Sequence, residues 1–138
     1  MKILFLTALV LLTFGLVNAQ TLKNSNQSNI GSISSDGTIK NSSNRVVGYI
    51  KGETIKNSSN VAIGYIKGGT IKNKSNVTIG NVKSDGSVKN KQNLTIGYIK
   101  SNGDVQNGNQ SRIGYAKGVK KEWAAVVFFF FEFNKKLK

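Results

Sequence analysis

Between residues 21 and 118, apolar and polar positions recur with a period of 16 or 17 residues, and this long-range recurrence predicts the fold better than local propensity does. Six units follow one another: Thr21–Gly37, Thr38–Glu53, Thr54–Gly69, Thr70–Gly86, Ser87–Gly103 and Asp104–Gly118. Two neighbours, TIKNSSNVAIGYIKGG from Thr54 and TIKNKSNVTIGNVKSDG from Thr70, display the pattern. A short strand leads to a polar Asn/Ser turn, then to a second strand containing Ile-Gly, then to a tight Gly turn. The predicted class is all-β, with five to six β-hairpin repeats in a closed radial arrangement, propeller-like or barrel-like.

The Gly turns carry the hairpin signal. Asp36-Gly37, Asp85-Gly86 and Asn102-Gly103 offer a residue that tolerates positive φ, and Gly52-Glu53 and Gly68-Gly69 take the same place in the shorter units. A two-residue loop at Gly68-Gly69 and a three-residue loop with a bulge at Gly86 both keep register, so that Lys67 faces Thr70, Ile66 faces Ile71 and Val82 faces Val88. In the second strand of each unit the strongest apolar positions are three apart, as in Ile63 and Ile66, Ile79 and Val82, Ile96 and Ile99. A flat strand would place them on opposite faces. The glycines between them, Gly64, Gly80 and Gly97, mark a bulge or bend that brings both inward. There are five Gly-turn hairpins and a half-unit at each end, Thr21–Asn24 and Ile113–Lys117, whose pairing would close the ring and remove exposed edges.

After the repeats comes Trp123-Ala-Ala-Val-Val-Phe-Phe-Phe-Phe-Glu-Phe133, apolar on every side and therefore expected to be buried. Lys120 to Ala125 favour a helix start and the Val and Phe run also suits a strand; a helix is the expectation, serving as a central plug. A bilayer-spanning role needs about 20 apolar residues, more than this segment has. At the other end, a charged start at Lys2, an apolar run from Ile3 to Val17 and small residues before Gln20 read as a secretory signal peptide cut after Ala19. The expected organisation is residues 1–19 signal peptide, 20–118 repeat domain, and 119–138 plug and basic tail within the same domain. Without a Cys after the apolar run there is no thiol for lipid attachment, and no transmembrane anchor is expected after cleavage.

The strings IGYIK, DGTIKN and IGYAKGVKKEWAAVVFFFF resemble the exported bacterial family of 5-fold beta-flower proteins. The similarity extends over nearly all of the chain after residue 19. It implies five β-hairpin petals around a central axis, in agreement with the five Gly turns, and no established activity, cofactor or substrate. Ser32 and Asn81 stand where the repeat otherwise has Tyr, and Gln106 where it has Lys, so a complete ring of either side chain is not expected.

Composition narrows the chemistry. The 138 residues include no His and no Cys, which removes imidazole and thiolate metal ligands, disulfides and histidine-activated nucleophiles. No catalytic, cofactor-binding or metal-binding residues are predicted. The acids lie in or beside Gly turns (Asp36, Asp85, Asp104) or alone (Glu53), without the defined pairing that acid–base catalysis needs. Calcium would need a cluster of oxygen ligands that no run supplies. Asn41-Ser-Ser, Asn57-Ser-Ser, Asn76-Val-Thr and Asn93-Leu-Thr match the glycosylation sequon, but turn chemistry accounts for them.

A net charge of +14, or +13 once Lys2 is removed, comes from lysines in periodic rows. Lys51, Lys67, Lys83, Lys100 and Lys117 follow the Ile-Gly strands; Lys40, Lys56, Lys72 and Lys89 lie in the other strands. Tyr49, Tyr65, Tyr98 and Tyr115 share one repeat position. These lysines protect strand edges and maintain solubility, and with the tyrosines they form the candidate ligand surface: Tyr49, Tyr65, Tyr98, Tyr115, Lys51, Lys67, Lys83, Lys100 and Lys117. Beyond residue 19 lysines outnumber arginines 17 to 2, which disfavours bidentate phosphate recognition and hence a dedicated nucleic-acid site. The functional expectation is an exported, non-catalytic structural or binding module in the periplasm, at the cell surface or outside the cell. Its candidate partner is an anionic glycan or another cell-envelope component. The alternative is a cationic factor that binds polyanions or membrane surfaces.

Overall fold

The computed structural model describes residues 18–137. These form twelve strands: β1 (Ala19–Asn24), β2 (Asn29–Ser34), β3 (Thr38–Asn41), β4 (Val46–Lys51), β5 (Thr54–Asn57), β6 (Ala62–Lys67), β7 (Thr70–Asn73), β8 (Thr78–Val82), β9 (Ser87–Asn90), β10 (Thr95–Ile99), β11 (Asp104–Asn107) and β12 (Arg112–Tyr115). Each pairs antiparallel with its sequence neighbours, and β1 pairs with β12 through Lys23↔Tyr115 and Asn24↔Gly114, so the sheet closes. The two half-units thus meet and supply a sixth hairpin-like pair beside the five joined by Gly turns, so the ring has six two-stranded units where the resemblance implied five petals.

Both kinds of turn follow from local chemistry. At the Gly turns, Lys67↔Thr70 and Ile66↔Ile71 flank Gly68 and Gly69, whose φ values of 56° and 83° favour glycine. In the longer loop Gly86 donates its N–H to Lys83 O at 3.0 Å, and Val82 still faces Val88. The six Asn turns begin at Asn24, Asn41, Asn57, Asn73, Asn90 and Asn107. In each, the Asn Oδ1 accepts the backbone N–H groups two and four residues on, at 2.9–3.1 Å. The residue three positions on, always Asn or Gln, takes a left-handed φ of 64–65°. Asn76 and Asn93 of the sequon matches occupy this position, and Asn41 and Asn57 are turn acceptors.

The strand bulge falls one residue earlier than the glycine. Ile55 pairs with Gly64 and Lys56 with Ala62, which leaves Ile63 as the extra residue. Val47, Ile79, Ile96, Ile113 and Ile30 are the extra residues in the equivalent strands. The bulge turns these side chains toward the interior, where Val47 is buried and the others pack against the core. Alternation beyond the bulge points the glycine and the following apolar residue inward as well. Paired apolar residues from neighbouring strands, such as Ile33↔Ile39, Ile50↔Ile55 and Ile66↔Ile71, form the continuous inner layer.

The C-terminal segment fills the axis. Helix α1 (Lys121–Phe129) starts at the Gly-turn rim, where Lys121 Nζ donates to Ser84 O at 2.6 Å, and buries Ala124 through Phe128. The apolar run is not one helix. Phe130 is extended, Phe131 and Glu132 have φ values of 59° and 58°, and a short α2 (Phe133–Lys136) follows. The reason lies in the wall. A methyl group on Gly114, Gly97, Gly80, Gly64 or Gly48 would strike Phe128, Phe129, Phe130, Phe131 or Phe133, respectively, and one on Gly31 would strike Leu137. The six notches, traversed in reverse chain order, are separated by about 60° around a six-unit ring, whereas an α-helix turns about 100° per residue. Phe128 and Phe129, still within α1, meet adjacent notches, but the mismatch accumulates along a longer helix, and leaving it at Phe130 lets Phe130 and Phe131 continue to the next two.

Candidate functional site

Because the plug occupies the interior, the residues singled out by repetition lie on the outer wall and rims. Tyr49 stands between Gly48 and Ile50, both inward, and so faces outward; it is half-buried, like Tyr65, Tyr98 and Tyr115. The paired neighbours of Tyr49 are Thr38 and Lys56, and those of Tyr65 are Thr54 and Lys72. The register is constant around the ring but the side chains are not: Tyr98 is flanked by Ser87 and Gln106, and Tyr115 by Asp104 and Lys23.

Lys51, Lys67, Lys83, Lys100 and Lys117 are exposed at the Gly-turn rim, two residues beyond the tyrosine position. Residues two apart on a strand share a face, and this brings Lys51 Nζ to 5.6 Å from the Tyr49 ring centre and Lys100 Nζ to 5.4 Å from that of Tyr98. Tyr115 has a different companion, Arg112, whose guanidinium carbon lies 4.7 Å from the ring centre. Lys120 stands 4.8 Å from the centre of the Trp123 ring. Arg112 and Trp123 were not legible as parts of the surface. Arg112 takes a repeat position with no other cation, and Trp123 reads as plug. A Lys or Arg two or three residues from an outward aromatic was the available signal.

The tyrosines form two arcs. Tyr49 and Tyr65 belong to consecutive units, as do Tyr98 and Tyr115; Ser32 and Asn81 interrupt the ring at opposite sides. Asn81 Oδ1 and Gln106 Oε1, at two of the positions that break the repeat, are buried without a hydrogen-bond partner. Beside the second arc, Lys23, Asp104, Tyr115 and Lys117 line an open groove of about 610 Å³ together with Gln20 and Thr21. Beside the first arc a smaller groove of about 160 Å³ is lined by Glu53, Tyr65, Lys67, Thr70, Lys72 and Asn76.

The acids are dispersed. Asp36 accepts from the Thr38 backbone N–H at 3.0 Å and Asp85 from that of Ser87 at 2.9 Å, and these hydrogen bonds hold both carboxyls below the ordinary aspartate value. Asp104 meets Arg112 at 3.4 Å, and Glu132 meets Lys135 at 2.8 Å, which lowers the Glu132 pKa. No cluster of three or more His, Cys, Asp or Glu able to hold a metal ion occurs among the described residues. Within the same residues no helix is long and apolar enough to cross a membrane.

No curated protein and no solved structure matches the chain. The sequence pattern of the family described as 5-fold beta-flower protein matches residues 19–132, covering the repeats and the aromatic run as far as Glu132. The chain belongs to the 5-fold beta-flower protein family.

Proposed function

We propose that this protein is an exported, non-catalytic binding module whose working surface is the outer wall, and that its ligand is an acidic glycan or similar cell-envelope polyanion. One observation carries the reading: cationic side chains stand beside outward tyrosines at Lys51–Tyr49, Lys100–Tyr98 and Arg112–Tyr115. A sugar ring stacks on an aromatic face, and a neighbouring cation takes its carboxylate or sulfate. Inside the ring, the space beside the wall glycines is taken by the chain's own Phe128, Phe129, Phe130, Phe131, Phe133 and Leu137 side chains.

Export rests on the charged start, apolar run and small residues of positions 1–19, most of which lie outside the described residues; cleavage after Ala19 would trim one residue from β1. The non-catalytic reading is supported by the engagement of Asp36, Asp85, Asp104 and Glu132 in separate turns and ion pairs. The predominance of lysine favours diffuse, salt-sensitive binding over phosphate-specific recognition.

Titration with heparin and with a neutral polysaccharide tests this. Binding of heparin alone, weakened by salt and reduced about tenfold in a Y49A/Y98A/Y115A variant that still melts cooperatively, is the expected result. Equal heparin affinity of the variant and the parent would overturn the role of the tyrosines.

A further inference from the structure

The three large apolar side chains exposed among the described residues are Val61, Val77 and Leu94, at 56%, 56% and 62% exposure. They occupy the same position, the fifth residue of the Asn turn, in three consecutive turns. Their exposure serves no local need. The turn uses only the backbone at this position, where Val61 N–H donates to Asn57 Oδ1 at 3.1 Å and Val61 O accepts from Asn57 N–H at 2.9 Å. Ser28, Arg45 and Ser111 fill the position in the other three turns with the same hydrogen bonds.

Charge is segregated around these tips. Lys74 and Lys91 are exposed in the turns of Val77 and Leu94, and Arg45 is exposed in the turn before that of Val61. None of the six Asn turns contains an acidic residue, and Asp36, Glu53, Asp85 and Asp104 lie in or beside the Gly turns at the opposite rim; Glu132, just before the short helix that meets the Asn-turn end, is neutralised by Lys135 at 2.8 Å. An apolar patch flanked by unopposed cations repels a second copy of itself and complements a negatively charged amphipathic surface.

We propose that the Asn-turn rim seats on an anionic lipid bilayer, with Val61, Val77 and Leu94 entering the headgroup region and Lys74, Lys91 and Arg45 meeting lipid phosphates. Shallow insertion of a few apolar side chains combined with basic neighbours is sufficient for reversible surface binding. This surface is separate from the tyrosine wall, and the inference does not rest on glycan binding.

The test is co-sedimentation of the protein with vesicles of phosphatidylcholine, with and without phosphatidylglycerol. Expected is binding to the phosphatidylglycerol vesicles only, weakened at least about tenfold both by V61S/V77S/L94S and by K74Q/K91Q. Both variants should keep the parental melting curve, and the serine variant, which removes no charge, should also keep the parental heparin affinity. Unchanged vesicle binding by the serine variant overturns the proposal, and so does absence of binding by the parent. Sedimentation equilibrium adds a further check: a parental dimer that the serine variant lacks would make the rim a self-association surface and overturn lipid docking. Loss of heparin binding in the tyrosine variant leaves this result untouched, so the two proposals fail independently.

Discussion

Phe130 lies in the space that a side chain on Gly80 would need: a methyl group there would come 2.5 Å from Phe130 Cζ and 2.5 Å from Lys89 O. Gly80 does not have the positive φ that elsewhere makes glycine necessary, so its role is to leave room. G80A should therefore cost about 1–3 kcal/mol, the usual range for overpacking a filled core. Chemical denaturation of G80A, F130L and the double variant checks this. A smaller ring-side group should recover part of the loss, and the remainder reflects the Lys89 carbonyl.

Removing the plug should have a larger effect. Phe128, Phe130 and Phe133 are each at most 8% exposed, and burial of such side chains contributes about 1.5–3 kcal/mol apiece in a domain of typical stability about 5–15. Truncation after Ala125 is expected to abolish the cooperative thermal transition. A truncated protein with the parental melt would show that the repeats are stable without their axis.

The Asn turns predict a chemically selective response. In the third turn Asn57 Oδ1 accepts from Ser59 N–H at 2.9 Å and Val61 N–H at 3.1 Å. N57A removes the acceptor and should destabilise by about 1–3 kcal/mol, while N57D retains it and should stay close to the parent. Melting temperatures of the pair would separate acceptor loss from general sensitivity of the turn.

Restoring the repeat at Asn81 should stabilise. Its Oδ1 is buried without a partner, and the four equivalent tyrosines are accommodated half-buried on the outer wall. N81Y is expected to gain about 0.5–2 kcal/mol, the common yield of a repeat-consistent substitution. Equilibrium unfolding decides the sign.

The acid limb of stability should respond to Asp36 and Asp85. Their folded pKa values are depressed, chiefly by the backbone N–H groups of Thr38 and Ser87. Their stabilising contribution is accordingly complete above the ordinary aspartate value of 3.8 and is lost as pH falls through the lower folded values. Both groups are open to solvent, so the effect is small. The difference in stability between the parent and D36N/D85N should be constant near neutrality and change only on the acid side of 3.8.

The lysine and tyrosine positions were legible as periodic features, but their pairing was not. Lys51 reaches Tyr49, while Lys83 has Asn81 in place of tyrosine and Lys67 makes no such contact with Tyr65, although Tyr49 and Tyr65 have equivalent cross-strand neighbours in Lys56 and Lys72. Side-chain companions depend on rotamer and cross-strand geometry, which repetition alone does not specify. Val61, Val77 and Leu94 carry no separate signal in the sequence, because their neighbourhood does not reveal that the turn lifts them out of the core.

Sequence periodicity by itself determined the succession of strands, both turn types and the register across Gly68-Gly69 and Gly86, because turn chemistry and alternation are local and recur; it suggested the closure of Thr21–Asn24 against Ile113–Lys117, which the β1–β12 pairing established. Tertiary structure decided that the bulge falls at Ile63 rather than at Gly64, and that the Phe run leaves its helix at Phe130. Both outcomes depend on the wall and the plug together: six glycine notches set an angular spacing that a regular helix does not match, and no single repeat contains that constraint.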